Sequence, residues 1–230
     1  VALLPGGFKP PTAGHHRMIN QYAQHPLVSE VIILQGPKAR LDSTGKEYTN
    51  VESKAVFELY GGFPSNVSYM YSREGEKTPM HTAYNLVTEE NFTNQFNLDT
   101  TVFSIGASSK GGDDKRINEF VKYFNEREEV LPQGVSIVGP PFVAGVFSRG
   151  GMDLSASTMR KALADGNLDL VKLHLPDDAF LKPVLQILDY EEKKTIAEKI
   201  TLTDLFSLVE DVMENKKRKG NKNYQPTFID

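Results

Sequence analysis

The sequence predicts an α/β protein: a Rossmann-like, doubly wound sheet of five parallel strands, helices on both faces, and a C-terminal helical appendage. Three observations support this. Short β-rich apolar runs recur, each followed by a stretch with helical spacing of its apolar residues. One of them, "EVIILQG" (30–36), is apolar without alternation, as suits a strand buried on both faces. Strand signals stop near residue 176, where charged helical segments take over. The chain has 230 residues, 39% hydrophobic and 24% charged, which is ample material for a buried core.

In order, "VALLPG" (1–6) reads as the first strand and "GHHRMINQYAQ" (14–24) as the first helix. The second strand, "EVIILQG", precedes the amphipathic helix "NVESKAVFELYGGF" (50–63), which ends at a glycine pair suited to a helix C-terminus. "VSYMYS" (67–72) is the third strand, followed by the helix "MHTAYNLVTEENF" (80–92). "TTVFSIG" (100–106) is the fourth strand, "DDKRINEFVKYFNE" (113–126) a helix, and "GVSIVGP" (134–140) the fifth strand. "SASTMRKALADG" (155–166) is a helix opened by a serine and closed by a glycine. The expected division is therefore a domain over 1–175 and a helical appendage with a basic tail over 176–230. There is no internal repeat.

Composition excludes several classes of function. There is no cysteine, which removes disulfides, thiolate metal sites and cysteine nucleophiles. No apolar stretch approaches the roughly 18 residues that span a bilayer, and no signal-peptide pattern is present. A soluble cytoplasmic protein with no membrane partner is expected. The net charge of −4 gives no global attraction to nucleic acid, so any affinity for phosphate must be local. The run "KKRK" (216–219) is expected to be solvated, and the appendage offers a surface for a protein partner or a second copy.

In a doubly wound sheet ligands bind beyond the carboxyl ends of the strands. "GGFKPPTAGHH" (6–16) lies there, between the first strand and the first helix. Gly6 and Gly7 allow a sharp turn and close approach of a phosphate. Gly14 and His15 open the helix, where unpaired N–H groups and the helix dipole attract anions. His15 can donate to a phosphate oxygen, and Thr12 offers a hydroxyl to the same anion. His16, about 100° further round the helix, is expected to pack or face solvent. His25 and His174 lack ligand spacing and are expected to be structural. Neither G-x-G-x-x-G nor G-x-x-x-x-G-K-[ST] occurs, and "GASSKGG" (106–112) is not a G-x-S-x-G elbow.

The opening loop resembles the G-x-F-x-P-x-[HT]-x-G-H signature of the nucleotidylyltransferase superfamily, which includes cytidylyltransferases, nicotinamide-mononucleotide adenylyltransferases and phosphopantetheine adenylyltransferase. Gly6 or Gly7, Phe8, Pro10, Thr12, Gly14 and His15 fall in register. Thr12 replaces the first histidine of the H-x-G-H form, as is usual in the phosphopantetheine branch. "LSASTMR" (154–160) is similar to the second motif, I-S-S-T-x-x-R, through Leu154, Ser155, Ser157 and Arg160, with Ala156 in place of a serine. The resemblance covers roughly residues 1–175.

It implies transfer of AMP or CMP from a nucleoside triphosphate to a phosphorylated small-molecule acceptor, with release of pyrophosphate. The T-x-G-H form inclines the reading toward adenylyl transfer. His15, Thr12 and Arg160 become the catalytic candidates. Gly6, Gly7, Phe8, Gly14, Gly106, Ser155, Ser157 and Thr158 become nucleotide-binding candidates, together with Ser108 and Lys110 near the pocket. Lys9, Lys38 and Arg40 are candidates for the acceptor. Mg²⁺ is expected, carried by substrate phosphates and with no protein cage; Asp113 and Asp114 are expected to cap the helix that follows them. A different class of function remains beside this one: a catalytically silent binding or structural module that keeps the fold.

Overall fold

The computed structural model describes residues 1–109 and 113–190. Lys110, the tail beyond residue 190 and its KKRK run, with the partner surface expected there, lie outside the described residues.

Sixteen strands and α-helices follow one another in the described residues. β1 (Ala2–Gly6) leads through α1 (Ala13–Ala23) to β2 (Val31–Gln35). A hairpin of β3 (Arg40–Leu41) and β4 (Glu47–Tyr48) then precedes α2 (Asn50–Leu59) and β5 (Val67–Tyr71). Next come α3 (Pro79–Thr88), α4 (Glu90–Thr93), β6 (Ser104–Ile105) and α5 (Asp113–Asn125). A second hairpin, β7 (Ser148–Arg149) and β8 (Met152–Asp153), leads to α6 (Ala156–Ala164), α7 (Leu168–Leu173) and α8 (Leu181–Ile187).

The sheet is parallel throughout, in the order β5-β2-β1-β6. Its registers place Leu3 beside Ile32 and Ile105, and Ile32 beside Ser68. Successive residues of β1 and β2 serve opposite faces, as the pleat requires. Leu4 and Ile33 join one core with Ile19, Phe57, Met159 and Val184, which come from α1, α2, α6 and α8. Leu3, Ile32 and Leu34 join a second core with Leu86 and Phe120, from α3 and α5. Two cores on two faces explain why β2 is apolar at every position from Val31 to Leu34. Val184 and Leu188 seat α8 on the first core, so the packed unit runs from Val1 to Tyr190.

The expectation of five strands is corrected to four. The fourth shrinks to two residues, and the fifth is reduced to isolated parallel bridges, Ser108 with Ala144 and Phe103 with Ile137. Two hydrogen bonds make the latter bridge: Phe103 N–H donates to the Ser136 carbonyl and Val138 N–H to that of Phe103, both at 2.9 Å. Gly139, Pro140 and Pro141 follow at once. Prolines have no N–H for a ladder, so pairing breaks there and resumes only where Ala144 N–H donates to the Ala107 carbonyl at 3.0 Å. The helix expected over 80–92 is also divided, because Glu89 adopts extended backbone between α3 and α4.

Beyond β1 the chain order reverses: β2 and β5 lie to one side, β6 to the other. The switch point thus falls between β1 and β6, and the loop with Gly6, Gly7 and His15 leaves the sheet there.

Candidate functional site

The turn after β1 is shaped by one aromatic ring. Phe8 is buried and has φ +48°, a region that disfavours side chains by about 1–2 kcal/mol. Its ring folds back over Gly6, where a Cβ would sit 2.2 Å from the ring, and lies 5.2 Å from the His15 ring, edge to face. Gly6 is therefore required by Phe8. Gly7 has only Arg40 Nε near its missing Cβ, at 4.0 Å, so this backbone is open to a ligand.

Thr12 is fully buried and caps α1. Its Oγ1 accepts from His15 N–H at 3.4 Å, while Thr12 N–H donates to His15 Nδ1 at 3.1 Å. A backbone N–H can only donate, so Nδ1 is the acceptor and the proton of the neutral ring is on Nε2. Thr12 thereby fixes both the place and the tautomer of His15.

The two motifs meet although 140 residues separate them. Thr12 Oγ1 is 3.5 Å from the Leu154 carbonyl, and a Cβ on Gly14 would lie 3.0 Å from the same oxygen. Ala13 N–H donates to the His174 carbonyl at 2.7 Å. Arg160 Nη1 donates to the Lys9 carbonyl. Burial, then the nearby Arg40 charge, lower the Arg160 guanidinium from its ordinary range.

Ser155 is the N-cap of α6, with Oγ accepting from Thr158 N–H at 3.2 Å. Ser157 is exposed, and its hydroxyl lies 3.0 Å from that of Ser155. Thr158 completes a capping box by accepting Ser155 N–H at 3.2 Å. Its hydroxyl is also 2.7 Å from His174 Nε2, and His174 Nδ1 is 2.8 Å from the Leu170 carbonyl. The carbonyl needs a donor, so Nδ1 carries the proton and Nε2 accepts from Thr158. Burial lowers the His174 pKa and keeps this ring neutral. The His174 ring is thus held within the fold, while the His25 ring stacks on Phe142 and the His16 ring meets Tyr60 edge on.

Two cavities open on this end of the sheet. A crevice of about 200 Å³ is lined by Gly6, Gly7, Phe8, His15, Met18, Met80, Gly106, Ser108, Asp113 and Arg116, among others. A neighbouring cavity of about 190 Å³ is lined by Gly7, Lys9, Gly36, Pro37, Lys38, Arg40, Lys77, Thr78 and Pro79. Gly7 belongs to both. Larger cavities near Arg73 and near Phe124 include no residue of either motif. Thr12, Gly14, Ser155, Ser157, Thr158 and Arg160 line neither cavity; Thr12, Gly14 and Arg160 reach across between the two motifs, whereas Ser155, Ser157 and Thr158 bond within the start of α6 and to His174. At Gly106 a Cβ would meet Leu4 Cδ2 at 2.2 Å and the Tyr22 ring at 2.8 Å, so this glycine lets α1 pack close against β6.

The second cavity is cationic. Lys9 is 1% exposed, and burial with the Arg40 charge pushes its pKa down to about 8. Among the described residues no carboxylate pairs with Lys9, Lys38, Arg40, Lys77 or Arg160. Arg40 is presented by the β3–β4 hairpin, whose turn is organised by Asp42. That carboxylate accepts from Thr44 and Lys46 N–H and from the Tyr48 hydroxyl. Burial alone would raise its pKa, but these hydrogen bonds outweigh it and hold Asp42 low.

Sequence reasoning missed several of these groups. Gln35, fully buried at the end of β2, donates to the Gly7 carbonyl at 3.2 Å. The Tyr22 hydroxyl accepts from Ala107 N–H at 2.9 Å and lies 2.8 Å from the Phe142 carbonyl, tying down the loop after β6. Lys77 and Arg116 come to the site from the starts of other crossovers. A polar Gln closing an apolar strand was the one legible signal. Among the described residues no three His, Asp or Glu side chains form a metal cluster. Asp113, hydrogen-bonded to Ser108 and paired with Arg116, is the carboxylate that lines the crevice among the described residues.

No protein-family model matches the chain, and no curated protein matches it. Solved structures do. The bifunctional NMN adenylyltransferase/ADP ribose pyrophosphatase of Francisella tularensis is 14% identical with a TM-score of 0.50; the match covers 99% of this chain and 58% of that one. The same enzyme complexed with AMP and a Mn ion gives 15% identity, a TM-score of 0.47, and 99% and 57% coverage. The nicotinic acid mononucleotide adenylyltransferase of Plasmodium falciparum, complexed with NaAD, gives 12% and 0.47, with 83% of this chain and 97% of that one covered. The chain thus spans a little under three fifths of the length of the Francisella enzyme. No helix of the described residues is long and apolar enough to cross a membrane. At 14% identity and a TM-score of 0.50 the likeness is one of fold: the chain shares the parallel α/β fold of the Francisella tularensis enzyme.

Proposed function

We propose that the protein is a nucleotidylyltransferase that transfers AMP or CMP from a nucleoside triphosphate to a phosphorylated small-molecule acceptor. The observation that carries this reading is the meeting of the two motifs. Arg160 rests on the carbonyl of Lys9, and Thr12 on that of Leu154, beside the switch point of the sheet. Sequence separation on this scale does not bring two anion-friendly helix starts together without a shared ligand or a packing demand. The open backbone at Gly7 and the neighbouring cations favour the ligand.

In the reaction an oxygen of the acceptor phosphate attacks the α-phosphorus. A new P–O bond forms, the bond from the α-phosphorus to the α–β bridging oxygen breaks, and pyrophosphate leaves with that oxygen. Transfer of this kind is assisted mainly by positioning and charge stabilisation. His15 donates from Nε2 to the triphosphate, with Thr12 holding the ring. Arg160, with five N–H donors of which one is given to Lys9, clamps the outer phosphates. Lys38 and Arg40 meet the acceptor phosphate from the second cavity. A divalent cation, when bound, neutralises phosphate charge. The crevice suits one carried by the phosphates, because among the described residues Asp113 is the one carboxylate lining it.

The test is pyrophosphate release from ATP and CTP, with Mg²⁺, across a panel of nicotinamide mononucleotide, phosphopantetheine and sugar, alcohol and polyol phosphates. Release that requires one acceptor and one nucleotide supports the reading. Nucleotide binding without release on any acceptor points to the silent binding module.

A further inference from the structure

Lys9 stands where the resemblance predicts a variable residue, yet it is the most constrained cation of the chain's described residues. Its Nζ donates to the Gly36 carbonyl at 2.7 Å and to the Lys38 carbonyl at 2.5 Å. Its own carbonyl receives Arg160. An ammonium this buried, with no carboxylate partner, is unfavourable unless its hydrogen bonds do something a neutral residue could not. What they do is fasten the turn after β2. Gly36 is pinned from two more sides, by its N–H on the Gly6 carbonyl at 3.2 Å and by Pro79, which leaves no room for a Cβ. Lys38 and Arg40, just beyond, are exposed at the rim of the cationic cavity.

We propose that Lys9 is a positioning residue for acceptor binding: its ammonium brackets the 36–38 turn and thereby sets Lys38 and Arg40 against an acceptor phosphate that Lys9 itself does not touch. The proposal rests on the nucleotidyl-transfer reading for the identity of the acceptor. The bracket itself does not. Through Arg160 the same residue joins the acceptor side to the triphosphate side, but by its backbone, which side-chain substitution leaves in place. Loss of the Lys9 side chain therefore weakens anion binding in the second cavity and spares nucleotide binding.

Calorimetry with inorganic phosphate tests this, with the triphosphate site filled by the α,β-methylene analogue of ATP or of CTP, whose P–C–P bridge cannot be cleaved. Lys9→Met is expected to lower phosphate affinity about tenfold, the scale of one lost charge-assisted hydrogen bond. The Lys38→Ala/Arg40→Ala double variant should lower it at least as much. Adding Lys9→Met to that double variant should then change affinity by less than about twofold, since a bracket without its cations has nothing to position. Lys9→Gln, which keeps two N–H donors without charge, should recover part of the loss. Should Lys9→Met fail to fold, Lys9→Gln carries the same cycle. Multiplying effects in the triple variant would show Lys9 touching the anion itself and overturn the proposal. So would an unchanged affinity in Lys9→Met, a matching loss of nucleotide affinity, or no phosphate binding by the wild type. Because none of these readings depends on turnover, a protein that binds both ligands yet releases no pyrophosphate refutes the transfer reading and leaves the bracket standing.

Discussion

At the scale of single residues, the site is built from side chains whose hydrogen-bonding capacity is fixed by backbone groups. His15 illustrates this: a backbone N–H on Nδ1 assigns the proton to Nε2. A donor held in advance for charge that develops in the transition state acts selectively there, so His15→Ala is expected to reduce kcat by on the order of 10²–10³ with a much smaller effect on KM. Steady-state kinetics on the acceptor identified by pyrophosphate release checks this; a change within about threefold contradicts the role. Lys9 carries a second prediction. Its folded pKa, about 8, lies below the ordinary lysine value near 10.4. Between those values the unfolded chain holds a proton that the folded protein has lost, so this group makes stability rise with pH from about pH 8 to about pH 10. Phosphate affinity should fall as pH rises through about 8, where the folded protein loses the Lys9 charge. Denaturant unfolding of the wild type and Lys9→Met across that window should give a steeper rise for the wild type, and parallel curves would count against it. The cationic side chains facing Lys9 are Lys38, Arg40 and Lys77 at the same cavity, with Arg160 on its carbonyl.

At the scale of elements, α6 shows how a helix start is kept rigid. Its N-terminal turn is held by Ser155, Thr158 and the neutral His174 in a single chain of hydrogen bonds ending on the Leu170 carbonyl. Removing a cap of this type costs about 1 kcal/mol. Thr158→Val should lose about that much stability by denaturant unfolding, because it orphans both Ser155 N–H and His174 Nε2; His174→Gln should lose less than Thr158→Val. If Thr158→Val is as stable as the wild type, the network has no structural role. The same elements mark what was legible in advance. Helices α1, α5 and α6 stood out through caps and apolar spacing. The β3–β4 hairpin did not, because two-residue strands have no periodicity to read, and its signal was only the Asp42–Gly45 turn. Thr12 was read as a phosphate ligand from its place in the motif; as an N-cap three residues before His15 it also fits a capping box, and burial favours that second role in the structure.

At the scale of the whole molecule, parallel pairing and the two-faced core followed from β2 and from strand–helix alternation, whereas the size of the sheet did not. Edge strands are short and depend on local N–H supply, so a proline pair after Gly139 broke the fifth strand into isolated bridges. The cationic cavity was only half legible: Lys9, Lys38 and Arg40 lie near one another in the loops after β1 and β2, but Lys77 reaches them only through the β5–α3 crossover. Non-local assembly of this kind is also what the functional account depends on, since it requires Leu154–Arg160 to act on the same ligand as the loop of His15. Nucleoside triphosphate affinity measured by calorimetry with Mg²⁺, on the wild type, Arg160→Lys and Arg160→Ala, tests that most directly. A guanidinium binds phosphate oxygens in a bidentate way that an ammonium cannot match. The account predicts affinity about tenfold weaker or more in Arg160→Ala and an intermediate loss in Arg160→Lys despite the conserved charge. Unchanged affinity in both variants would contradict it and leave the second motif as a helix cap alone.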